Sequence, residues 1–183
     1  MERAIEARLH AARARWNGNY TYTVPSIVVP NHIWVGSMTD AANIDWLNTH
    51  KITHVVNCGQ ALYKYKERIL PQTMIQHVLV VDADDSAGYP ILSHLPSVAE
   101  FCDKAGPDAR ILFHCMAGVN RSPALALAYV SLRSRTMGET SRLERFCVVF
   151  EALMVVRPIV LENLDYYEQL LAWANDPCEN IAL

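Results

Sequence analysis

With 183 residues, 51% of them hydrophobic and 19% charged, the chain has the length of one globular domain with a sizeable buried core. Its net charge of −3, with both signs mixed along the chain, excludes a global electrostatic attraction to nucleic acid or to an anionic membrane surface. Five cysteines, an odd number without any Cys-x-x-Cys pair, argue against a disulfide framework and for a reducing, cytoplasmic compartment in which most of them are buried, inert thiols.

Residues 1–16 place Ile5, Leu9, Ala12 and Trp16 on one helical face, with Arg3, Arg8, Arg13 and Arg15 among the other positions. This amphipathic helix holds no apolar run of the secretory kind, and Asn17-Gly18-Asn19 ends it. Residues 1–19 therefore read as a separate element, which packs on its own domain, on a second copy of the chain, or on a membrane surface. From Ser26 onward, short β-branched runs alternate with helical stretches. Strands are expected at Ile27–Val29, Ile33–Val35, Ile52–Asn57, Met74–Val81 and Ala109–Phe113, and helices at Ala41–His50, His94–Lys104, Pro123–Arg135, Glu139–Val155 and Asn163–Ala174. Such alternation over residues 20–176, with 177–183 as a tail, predicts an α/β fold in which helices flank a central, mostly parallel twisted sheet. The apolar stretch Cys147 to Val156 is interrupted by Glu151 and is shorter than the roughly 20 residues of a membrane span. His50 and His54 straddle a helix-to-strand junction without further ligands nearby in sequence, so no metal site is expected.

The chemistry concentrates in one segment, Ala109-Arg-Ile-Leu-Phe-His114-Cys115-Met116-Ala117-Gly118-Val119-Asn120-Arg121-Ser122-Pro123. It reads as a buried strand, a tight loop and the start of a helix. A helix N-terminus offers unsatisfied N–H groups and about half a positive charge, so a loop that feeds into one suits an anion. A thiolate nucleophile is favoured by the same N-terminus and by a neighbouring cation, and Cys115 and Arg121 supply the pair. Arg121 has a planar fork of donors matched to two phosphate oxygens, and it stays charged throughout. Gly118 lets successive N–H groups turn toward the anion. Residues 116–121 would thus cradle the phosphate. Ser122 is placed to hydrogen-bond the sulfur, or to cap the helix, or both.

These residues resemble the active-site signature of the cysteine-based protein phosphatases, and of the dual-specificity phosphatases in particular. The resemblance continues through Ile33-Trp-Val-Gly-Ser37, Ala41-Ala-Asn43, Ile52-Thr-His-Val-Val-Asn57, Arg157-Pro158 and Gln169-Leu170, from about Pro25 to Ala174. It implies a protein tyrosine phosphatase-like fold and two-step hydrolysis of phosphotyrosine and phosphoserine or phosphothreonine through a cysteinyl phosphate, without a cofactor. It also implies a general acid on a separate loop. Asp82, Asp84 and Asp85 are the candidates. Setting Ile91, Leu95, Val98 and Phe101 against the family's apolar helix positions puts Asp85 at the acid position and Asp84 second. The family's role for His114 is to tune the thiolate from behind through hydrogen bonds. Val119-Asn120-Arg121-Ser122, Leu161-Glu162-Asn163 and the separate N-terminal helix are similar to the small poxviral dual-specificity phosphatases. That narrower resemblance implies a domain-swapped homodimer through residues 1–16, viral phosphoproteins and host STAT-type transcription factors as substrates, and a location in host cytoplasm and virion.

Four other readings compete. Asp82-Ala-Asp84-Asp85-Ser86 fits a magnesium-dependent phosphatase motif with an Asp nucleophile, which would leave Cys115 and Arg121 unexplained. RNA 5′-triphosphatases and phosphoinositide phosphatases share the Cys-to-Arg loop, but Met116, Ala117 and Val119 add no positive charge for a polyphosphorylated ligand. A non-catalytic phosphoprotein-binding module would lack the nucleophile, the Arg or the acid, and none is missing here.

Overall fold

The apolar run before Cys115 forms the middle of a five-stranded sheet. A computed structural model of the chain describes residues 24–30, 32–59, 68–133 and 141–176, together with the helical positions Ala7 and Ala11. Apart from those two positions, the N-terminal helix expected over residues 1–16 lies outside the described residues, as does the tail 177–183. The strands are β1 (Ser26–Val29), β2 (Ile33–Gly36), β3 (His54–Asn57), β4 (His77–Val80) and β5 (Ile111–His114), in the order β1-β2-β5-β3-β4. Only β1 runs antiparallel to its neighbour. The pairs β2/β5, β5/β3 and β3/β4 are parallel, so the mostly parallel sheet expected from the alternation is present.

Parallel strands read as continuous apolar runs because both faces of such a sheet are covered. In β2, β3 and β5, Ile33, Val35, Val56, Ile111 and Phe113 point to one core, while Trp34, Val55 and Leu112 point to the other. Burying each of these side chains contributes about 1.5–3 kcal/mol. The smaller core is closed by α1 (Met38–Ala41) and α2 (Ile44–Thr49), with Leu47, Ile52 and Ile69. The larger core is covered by α3 (Leu95–Ala105), α4 (Arg121–Arg133), α5 (Arg142–Val156) and α6 (Leu164–Asn175), and short 3₁₀ turns stand at Leu70–Gln72 and Ile91–His94. Helix α4 is buried along Ser122–Ser131 because α3, α5 and α6 surround it. A helix that is apolar on every side belongs in the interior.

The strands expected from Ile52, Met74 and Ala109 start later, at His54, His77 and Ile111, and three helix boundaries also correct the sequence reading. The single helix expected at Ala41–His50 is two, divided at Asn43, whose Oδ1 accepts the Trp46 N–H at 3.0 Å and starts a new helix. Helix α5 starts at Arg142 rather than at Glu139, because Ser141 and Glu144 form a reciprocal capping box. Helix α4 starts at Arg121, two residues before Pro123, which places Ser122 inside the first turn and removes its reading as a helix cap.

Candidate active site

Cys115 follows β5 directly at the carboxyl end of the central strand, and α4 begins six residues later. Between them, four successive loop carbonyls are taken up from outside. Met116 O accepts from Met38 N–H at 3.2 Å and Val119 O from Leu161 N–H at 2.8 Å. Ala117 O and Gly118 O accept from Arg157 Nη2 at 3.2 Å and Nε at 2.7 Å. In a trans peptide the N–H points opposite to the preceding carbonyl, so holding these carbonyls outward directs the N–H groups of residues 117–120 inward. Gly118 sits at φ +69°, and a Cβ there would lie 2.3 Å from Arg157 Nη2 and 2.6 Å from Gly36 O. Its backbone N–H reaches Cys115 Sγ at 3.3 Å.

The sulfur has a second donor. Ser122 Oγ, fully buried, donates to Cys115 Sγ at 3.3 Å, the contact expected from the sequence. Arg121 is held by two carbonyls, with Nη1 donating to Cys58 O at 3.2 Å and to Ala83 O at 3.4 Å. Its Nε lies 3.6 Å from Asp85 Oδ2, and only 13% of the side chain is exposed. Cys115, Arg121, Ser122 and Asp85 are therefore one constellation, although Asp85 comes from a different loop.

The two aspartates at 84 and 85 have separate environments. Asp84 is turned into its own loop, accepting from Asp85 N–H at 2.7 Å and from Ser86 Oγ at 3.2 Å. Asp85 instead accepts from Asn120 Nδ2 on Oδ2 and from Asn163 Nδ2 on Oδ1, each at 3.3 Å. The whole loop is tied to α6: Tyr166 Oη donates to Asp84 O, Gln169 Nε2 to Tyr89 O at 2.8 Å, and Gly88 N–H to Asp165 Oδ2 at 2.5 Å. Burial, with the negative charge of Asp85 nearby, pushes the Tyr166 phenol up, so it remains a donor.

His114 is 3% exposed. Burial lowers its imidazole to about 4, with a hydrogen bond to the backbone of Cys115 pulling the other way. The ring is thus neutral at ordinary pH. Burial pushes the Cys58 thiol well up, and the neighbouring Cys115 adds to the shift. The Cys102 thiol is pushed up to about 12 by burial. His50 stacks on Trp46 with ring centroids 4.1 Å apart, and His54 packs against His77 and Phe101, so each member of the pair is used in packing.

Two contributors had no assigned role in the sequence reading. Arg157 is 0% exposed, and its contacts lie at carbonyls 39 and 40 positions away, with Nη1 also donating to Ser26 Oγ at 3.3 Å. Asn163 stands at the start of α6 yet directs its amide to Asp85. Arg157-Pro158 and Leu161-Glu162-Asn163 were the available signals, but only as points of resemblance.

A strand, an inward-turned loop with a thiol on its floor, and a helix beyond make an arrangement suited to an oxyanion. The chain belongs to the family described as dual specificity phosphatase, catalytic domain, whose sequence pattern matches residues 33–176. Among curated relatives, dual specificity protein phosphatase 15 of Rattus norvegicus is 30% identical over 150 residues, which is 78% of this chain and 56% of that protein. The Mus musculus counterpart is 29% identical with the same coverage. The chain thus spans about half the length of these relatives. Among solved structures, OH1 from the Orf virus superposes with a TM-score of 0.70 at 22% identity, covering 93% of this chain and 96% of that one. The crystal structure of DUSP15 gives 0.66 at 24%, covering 84% and 89%. At these identities the structural likeness is one of fold.

Proposed function

We propose that the protein is a dual-specificity phosphatase, hydrolysing phosphate monoesters on protein tyrosine and on serine or threonine through a cysteinyl-phosphate intermediate. The observation that carries the reading is the sulfur of Cys115 on the floor of a loop four of whose carbonyls are held outward, with Ser122 on the sulfur and Arg121 at the end of the same loop next to Asp85. The N–H groups of residues 117–120 and the Arg121 fork bind three phosphate oxygens, leaving phosphorus in line between the sulfur and the ester oxygen. In the first step the S–P bond forms and the P–O bond breaks, while Asp85 gives its proton to the leaving oxygen. In the second step Asp85 takes a proton from water, water oxygen bonds to phosphorus, and the S–P bond breaks with Ser122 Oγ donating to the departing thiolate. His114, neutral and bonded to the Cys115 backbone, orients that residue and transfers no proton. No metal takes part.

Phosphoprotein substrates are in keeping with the family. Viral phosphoproteins and STAT-type factors as substrates, the homodimer through residues 1–16 and the location in host cytoplasm and virion rest on the poxviral resemblance, to which the Orf virus neighbour adds likeness of fold.

The test is hydrolysis of a generic aryl phosphate in EDTA under reducing conditions, wild type against Cys115→Ser. Activity should persist without metal and vanish in the variant, while binding of substrate is retained. Turnover by Cys115→Ser would sink the assignment, and a strict requirement for magnesium would return the Asp82–Ser86 motif to consideration.

A further inference from the structure

Asn is among the residues that most often cap a helix N-terminus with their own side chain. Asn163 is the N-cap of α6, but its side chain makes no capping hydrogen bond. The amide is committed elsewhere. Its Nδ2 donates to Asp85 Oδ1 at 3.3 Å, across a gap of 78 positions, while its backbone N–H donates to Asn120 Oδ1 at 3.0 Å. Asn120 in turn donates from Nδ2 to the other oxygen of the same carboxylate. The result is a closed ring: Asp85 to Asn163, Asn163 to Asn120, and Asn120 back to Asp85. It joins the acid's loop, the phosphate loop and the start of α6 through three hydrogen bonds.

A carboxyl group that must present one oxygen to a leaving group needs its rotation about the side-chain bonds fixed. Asp85 is partly exposed, with 31% of its side chain open to solvent, so packing alone does not fix it. We propose that Asn163 is a positioning residue for proton transfer, one that gives up the cap of its own helix to aim the Asp85 carboxyl at the phosphate pocket. The inference rests on Asp85 being the general acid.

The experiment measures kcat/KM, which reports the first step, on 4-nitrophenyl phosphate and on phenyl phosphate. The first has a leaving group acidic enough to depart with little help, whereas the second needs the proton. Asn163→Ser and Asn163→Thr remove the amide but supply good capping side chains, so the melting temperature should be unchanged or higher. Both should lose about tenfold on phenyl phosphate and under about twofold on 4-nitrophenyl phosphate, a fraction of the 10²–10⁴-fold that general acids supply. In an Asp85→Asn background the same substitutions should cost nothing more, since there is no proton left to aim. Equal losses on both esters, no loss on either, or a full further loss in the Asp85→Asn background would overturn the positioning role while leaving the acid in place. If Asp85→Asn itself proves indifferent to the leaving group, the acid assignment fails and this inference goes with it.

Discussion

Two side chains around Cys115 differ in what they do and in how their loss would be read. Ser122 reaches only the sulfur and Gly36 O, so its hydroxyl matters most when the sulfur must leave. Losing a hydrogen bond to a charged group costs about 1.5–3 kcal/mol, or roughly 10–100-fold in rate. Ser122→Ala should therefore lower kcat by that factor, leave kcat/KM nearly unchanged, and show a burst of phenol equal to the enzyme present as cysteinyl phosphate accumulates. A linear time course with both constants reduced together would contradict this. His114 acts on stability. Its imidazole is held near 4 in the fold against 6.5 when unfolded, so the unfolded chain binds the proton first as pH falls. The contribution is complete above pH 6.5 and is lost progressively toward pH 4, by about 3 kcal/mol in all. Urea midpoints from pH 7.5 to 4.5 should fall accordingly, and His114→Gln, whose amide does not titrate, should flatten that limb.

At the scale of elements, the phosphate loop is shaped by its surroundings more than by its own sequence. Met38, Arg157 and Leu161 hold four carbonyls in place, and Gly118 is the one position whose backbone both needs a positive φ and lies against Arg157 and Gly36. Gly118→Ala should abolish binding of an oxyanion such as vanadate and lower activity at least about 100-fold, because at this positive φ the Cβ would meet the buried Arg157 guanidinium on one side and the Gly36 backbone on the other. Isothermal titration with vanadate checks this, and micromolar binding by the variant would refute it. The strands and helices were legible in the sequence because each had its own period, and Cys115, Arg121 and Ser122 stood out as candidates because they lie together in one short string. The position of Asp85 was read through the apolar spacing of Ile91, Leu95, Val98 and Phe101, and in the fold its Oδ2 lies 3.6 Å from Arg121 Nε. The roles of Arg157 and Asn163 were not legible. A buried arginine that bonds two loop carbonyls and the Ser26 hydroxyl, and an asparagine that declines to cap its helix, leave no local pattern of those roles, since their partners are defined by the folded path of other segments. The break at Asn43 was missed for a simpler reason: its capping bond competes with a run that is otherwise helical throughout.

For the molecule as a whole, the sheet order puts the site where it is. Strand β5 enters between β2 and β3, so the loop after it is flanked by the ends of both neighbours: Gly36 O meets Ser122, and Cys58 O meets Arg121. Helix α6 then returns across this end of the sheet and carries the loop of Asp85. The net charge of −3 adds no general attraction for a phosphate, so the proposed recognition rests on local groups. The four outward-held carbonyls also set an order of events during synthesis. A chain that has been made only as far as α4 already contains Cys115, Arg121, Ser122, Asp85 and the Met38 N–H that holds Met116 O, but the groups that hold the other three carbonyls lie at Arg157 and Leu161, still to be added. Competence therefore arrives with the last helices rather than with the nucleophile. The growing polypeptide carries Cys115 from its own synthesis until Leu161 is added without the finished loop around it.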